Sequence, residues 1–148
     1  MKIEQYHLKS DNKLTYFEFI SVGSTGAIRK IIEFQATATP GLYNLAFGDK
    51  DPETDELDDL AITNNGDTQK VLGTVVAALY AFFDKNPEAS VYATGSTPAR
   101  TRLYRMGITK FYDEIQNDFY LFGQIGDKLY VFEVGKEYDG FLAQRKFE

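Results

Sequence analysis

Two hydrophobic periods divide the chain. Tyr16–Ser21 and Ala27–Thr37 are rich in β-branched and aromatic residues. With GSTG at 23–26 as the turn between them, LTYFEFISVGSTGAIRKIIEFQAT reads as a β-hairpin. LYNLAFGDKD adds a third long strand ending near Gly48. The acidic stretch DKDPETDELDD follows, and its charge density and Pro52 predict an exposed hairpin loop over 49–59. LAIT, 60–63, then reads as a short strand, and a further short strand is expected around Gln5–Leu8.

From Thr68 the period becomes helical. Apolar residues fall at 71, 72, 75, 76, 79, 80 and 83, a wide helical face, with Gly66 and Asp67 as turn and N-cap before it. Ala77, Ala78, Ala81 and Phe82 leave little polar surface, so this helix should be central and largely covered, and Pro87 ends it. SVYAT is a strand and GSTP a turn. Thr97 and Pro98 then supply an N-cap and a proline at the first helical position. The second helix is expected to stop at Gly107, with TKFYDEIQN adding a turn or two. On its helical wheel Ala99, Leu103 and Met106 share a face that should be buried, Arg100 and Tyr104 line one flank, and Arg102 and Arg105 the other. FYLFGQIGDKLYVFEVG is a final hairpin with GD at its turn, and 138–148 is ambiguous. The order β-β-β-β-α-β-α-β-β predicts an α+β fold: a curved, mostly antiparallel sheet, a buried central helix and a second short helix. Segments 60–63, 68–85 and 90–94 could form one right-handed parallel crossover.

At 148 residues the chain reads as one globular domain, 1–148. Twelve Phe and ten Tyr without Trp suggest a core of Phe with Tyr at its margins. A net charge of −6 gives no general attraction for nucleic acid or an anionic membrane, so any anion site must be local. The lack of cysteine rules out a disulfide framework, a thiolate zinc site and a cysteine nucleophile. The longest apolar run, VLGTVVAALYAFF, is too short to span a bilayer, and MKIEQYHLKSDNK is unlike a signal peptide; the expectation is a soluble cytoplasmic protein. Exposed tyrosines and an uncapped sheet edge would serve a homodimer.

Candidate chemistry concentrates at the second helix. Three of the five arginines, Arg100, Arg102 and Arg105, fall within six residues. Where a capping box would place Glu, this helix has Arg100. Gly95, Ser96 and Thr97 add hydroxyls and backbone N–H groups at the positive end of the helix dipole, the parts of a phosphate or carboxylate site. Arg100, nearest the helix start, is expected to face the anion, which is either a small molecule or part of a protein partner. Alternatively, the arginines pair with the protein's own carboxylates, in 49–59 or at Asp113 and Glu114. NNGDTQK, 64–70, also joins a strand to a helix, without the spacing of a P-loop or GxGxxG. Asp49, Asp51, Glu53 and Asp55 alternate as in a calcium loop, but Thr54 and Leu60 stand where Gly and Glu are needed. His7, the single histidine, supports neither a histidine metal cluster nor, without GxSxG, a hydrolase triad. No metal is expected.

YNLAFGDKD, NNGD and VYATGSTPARTRLYRMGI together resemble a family of small bacterial proteins, mainly from Bacteroidetes, that is known only as a domain of unknown function. The resemblance covers most of the chain and implies a bacterial, intracellular protein. TPARTRLYRMGI is also similar to the motif of the acetyl-CoA-dependent N-acyltransferase fold, a short helix carrying Leu-Tyr before a glycine. That likeness implies acetyl-CoA as cofactor, held at 66–70, and Tyr104 as general acid. The spacing from Tyr104 to Gly107 is one residue short of the motif, and QKVLGT at 69–74 lacks the pyrophosphate-cradling glycines. Two function classes follow: a binding or interaction protein with an anion site centred on 95–105, and a minimal acyltransferase-like enzyme.

Overall fold

The computed structural model describes residues 3–58, 63–95 and 97–147. Its strands and helices are β1 (Lys9–Ser10), β2 (Tyr16–Gly23), β3 (Gly26–Ala36), β4 (Leu42–Lys50), β5 (Leu57–Asp58), α1 (Thr68–Lys85), β6 (Ser90–Ala93), α2 (Pro98–Lys110), α3 (Tyr112–Ile115), β7 (Phe119–Ile125), β8 (Lys128–Val131) and β9 (Gly140–Arg145). This is an α+β fold, and of the strand pairings given below all but β4 with β6 are antiparallel. The described residues group into two compact units, one drawn from 35–45 and 86–147, the other from 3–34 and 46–85, so β3 and β4 contribute to both.

In the unit drawn from 3–34 and 46–85, β2 and β3 pair from Tyr16 opposite Glu33 to Gly23 opposite Gly26, as the turn residues dictate. The two-residue turn needs a left-handed residue where β3 begins, and Gly26 supplies it at φ 96°. Alternation along β2 buries Phe17, Phe19 and Ser21. Helix α1 buries half of its 18 residues, including Val75, Val76, Ala78, Phe82 and Phe83. Phe82 stacks on Phe34 with ring centres 4.4 Å apart, and Phe19 on Phe47 at 6.3 Å. Asp67 stands before α1, but its carboxylate is taken by other elements: the hydroxyls of Tyr6 and Ser21 both donate to Oδ2 at 2.5 Å.

The strand expected over Gln5–Leu8 is not formed. The Tyr6 N–H donates instead to Thr74 Oγ1 of α1 at 2.8 Å, and the helix admits the passing segment at Gly73, where a Cβ would lie 2.3 Å from the Glu4 carbonyl. Pairing begins at β1, with Lys9 opposite Glu18. The acidic stretch makes a short hairpin, Lys50 opposite Leu57, and 52–56 at its tip are exposed. The expected strand at 60–63 falls largely outside the described residues, and Thr63 is not in a strand.

In the unit drawn from 35–45 and 86–147, Leu42–Asn44 of β4 pair in parallel with Ser90–Tyr92 of β6. The observed parallel partner of β6 is therefore β4, and not the segment just before α1. The ambiguous tail becomes β9, which lies between β6 and β7 and pairs antiparallel with both, while β8 pairs with β7 through the Gly126–Asp127 turn. Helix α2 continues past Gly107 to Lys110, because Gly107 sits on the buried side, where the lack of a side chain suits close packing; the Phe111 N–H closes the helix on the Gly107 and Thr109 carbonyls. Among the described residues no helix is long and apolar enough to cross a membrane.

Two outcomes follow. Phe82→Ala is expected to lower stability by about 3–5 kcal/mol in urea denaturation, whereas Leu79→Ala, at a half-covered position, should cost well below that. Burial, with Glu18, Glu33 and Asp55 nearby, pushes the Tyr16 phenol from 10.0 up to about 12. The unfolded chain therefore ionises first, so this contribution to stability is complete below pH 10 and is lost by about pH 12. Tyr16→Phe should flatten that alkaline limb in a pH series of denaturation midpoints.

Candidate functional site

Strand β6 ends at Ala93, and the chain turns through Thr94 and Gly95 into α2. The turn is built tightly. A Cβ on Gly95 would lie 2.4 Å from the Thr101 nitrogen and 2.5 Å from the Arg100 Cβ, so only glycine lets the chain pass this close to the first turn of α2. Gly95 N–H donates to Thr101 Oγ1 at 3.0 Å. Thr97 is the N-cap, its hydroxyl accepting from Arg100 N–H, and Pro98 opens the helix. The N–H groups of Gly95, Arg100 and Thr101 are thus already taken by Thr97 and Thr101, which leaves the turn fewer donors for an anion than its sequence suggests. Ser96 lies outside the described residues.

The helix is rotated from the orientation expected of its wheel. Arg100 and Tyr104 are each only 7% exposed and Gly107 is buried, whereas Ala99 is exposed and Met106 is 46% exposed. The buried face runs 100, 104, 107, 111, a helical stripe that ends on Phe111. An arginine stem and a tyrosine ring cover more apolar surface than an alanine, so the face that holds them goes inward.

That rotation turns Arg102 and Arg105 toward a cleft of about 430 Å³ beside the start of α2. Thr94, Gly95, Thr97 and Thr101 line one side of it, and Ile125 and Glu137–Asp139 the other. Arg100 and Tyr104 are not among the lining residues. Of the sequence-derived candidates, the cleft brings together Gly95, Thr97, Arg102 and Arg105. The opposite wall could not be read from sequence, because it depends on the β7–β9 pairing. Tyr138 is buried there and reaches over Gly123, where a Cβ would lie 2.2 Å from its ring.

The charges in the cleft are two arginines and two carboxylates. Asp139 is engaged, its Oδ2 accepting from Gly126 N–H at 2.8 Å and its carbonyl from the Thr94 hydroxyl at 2.8 Å. Glu137 lies 3.7 Å from Arg105 but is 89% exposed, so this is a loose surface pair. Among the described residues Arg102 has no carboxylate within 4.0 Å, and no group of three or more His, Cys, Asp or Glu side chains could hold a metal.

A family model described as a family of unknown function, DUF6934, matches residues 2–146. No curated protein and no solved structure matches the chain.

Gly95→Ala should displace the turn from the first turn of α2 and cost about 1–3 kcal/mol in urea denaturation, because the atoms in its way include helix backbone.

Proposed function

The chain belongs to this family of unknown function, and we propose that it is a binding protein whose cleft at the start of α2 takes a small molecule bearing a phosphate or carboxylate. One observation carries the reading: Arg102 and Arg105, three residues apart on α2, line the same cleft. At that spacing two guanidinium groups reach one ligand from one helix face, and each can offer paired N–H donors to an oxyanion. The geometry favours Arg102 and Arg105 as the grip over the buried Arg100, whose place in the packing suits a positioning role. Glu137 competes only weakly for Arg105, and an incoming anion can displace it. The volume is in the range of small-molecule sites.

A calorimetric and thermal-shift screen with phosphate, sulfate, nucleotides and acetyl-CoA tests this. A phosphate-bearing ligand should raise the melting temperature. Arg102→Ala and Arg105→Ala should each weaken its binding about tenfold. Arg100→Ala should chiefly lower stability. If Arg100→Ala abolished binding at unchanged stability while the other two variants bound normally, the grip would lie on Arg100. A shift with acetyl-CoA alone would favour the acyltransferase reading, although the buried Tyr104 does not line the cleft.

A further inference from the structure

A second cleft, of about 460 Å³, lies in the unit drawn from 3–34 and 46–85, at the hairpin of β2 and β3. Its lining gathers three cations. Lys9 comes from β1, Arg29 from β3 and Lys50 from β4. Strand register brings them together: Lys9 stands opposite Glu18, Arg29 stands opposite Ile20, and Lys50 Nζ donates to Glu18 Oε1 at 2.7 Å. Glu18 is the one carboxylate of this lining, and Lys50 occupies it. Among the described residues neither Lys9 nor Arg29 has a carboxylate within 4.0 Å.

Three cations against one carboxylate leave an excess of two positive charges in a chain whose net charge is −6. Clefts focus such a field, so this concavity attracts anions although the chain as a whole is acidic. The base is rigid. The Tyr6 ring stacks on Phe19 at 5.6 Å, and its hydroxyl is fixed by Asp67 and by the Val22 N–H. Ile20 is exposed beside Arg29 and offers an apolar wall.

We propose that this cleft is a second binding site, for a small polyanion with adjacent acidic groups that bridges Lys9 and Arg29, with Lys50 as a further positive charge held in place by Glu18. Two separated cations, on the strands that flank β2, suit a ligand with two anionic groups better than a lone phosphate. The site is independent of the cleft on α2, which uses other residues.

Pyrophosphate and citrate are the probes, titrated calorimetrically in 0.15 M salt, where distant surface charge is screened beyond about 8 Å. The starting protein carries Arg102→Ala and Arg105→Ala, which removes the α2 cleft from the reading. It should retain one site for pyrophosphate, for citrate or for both; binding of one alone identifies the ligand as a polyphosphate or a polycarboxylate. Adding Lys9→Ala or Arg29→Ala should weaken that site about tenfold, and adding both should remove it. Both side chains are exposed, so circular dichroism and melting temperature should not change, and Lys9→Arg with Arg29→Lys should keep binding. Lys128→Ala, on exposed β8, serves as the control for general field effects. The inference is overturned if the starting protein binds neither probe, or if Lys128→Ala weakens binding as much as Arg29→Ala does. If native protein shows one site that only the Lys9 and Arg29 changes remove, this inference stands and the α2 reading falls.

Discussion

The ammonium group of Lys30, 1% exposed in the middle of β3, has to be satisfied from inside the protein. It donates to Asp49 Oδ1 at 2.6 Å and to the Thr63 carbonyl at 3.1 Å, while Asp49 Oδ2 accepts from both the N–H and the hydroxyl of Thr63. A buried charge without its partner costs about 3–5 kcal/mol, so the places of Asp49 on β4 and of Thr63 ahead of α1 are fixed relative to β3. The pair adds less to net stability than to uniqueness, since alternatives that separate it are the ones penalised.

A second polar network forms two residues beyond Thr63. Asn65 is buried, donates to Ser21 Oγ and the Gly26 carbonyl, and accepts from Thr25 N–H, so the β2–β3 turn and the approach to α1 share one amide. Gly23 is compelled by the same contact, because a Cβ there would lie 1.9 Å from the Asn65 carbonyl oxygen. Ser21 passes the chain of hydrogen bonds to Asp67, and Asp67 to Tyr6. A polar run that starts at Asn65 therefore ends at the floor of the basic cleft. The two clefts differ accordingly. The one on α2 is nearly balanced in charge and shaped by a glycine turn, whereas the one at β2 and β3 is unbalanced and seated on fixed side chains.

The family and the α+β class were legible because they rest on local signals. GSTG marked one hairpin and GD the other, and the apolar period of 68–85 marked α1. The α2 cleft was half legible: the arginines announced it, but the wheel treated Ala99 and Met106 as core and Arg100 as surface. Burial there is decided by how much apolar stem a side chain carries and by Gly107 on the same face, neither of which a binary pattern records. The basic cleft left no contiguous trace, since Lys9, Arg29 and Lys50 meet only through strand pairing. Asp49 read as part of a solvated loop, because its partner Lys30 lies across a strand pair rather than along the chain.

Strand β9 is made last among the described strands, yet it lies between β6 and β7. At about 5–20 residues per second, the stretch from Ala93 to Arg145 takes several seconds to synthesise. Throughout that interval β6 has an open edge of unpaired backbone groups with Val91 and Ala93 not yet covered, a template for pairing with other chains. A late stop codon that removed only the last few residues of β9 would do more harm than its length suggests, because it would leave a gap in the interior of the strand order rather than shorten an end.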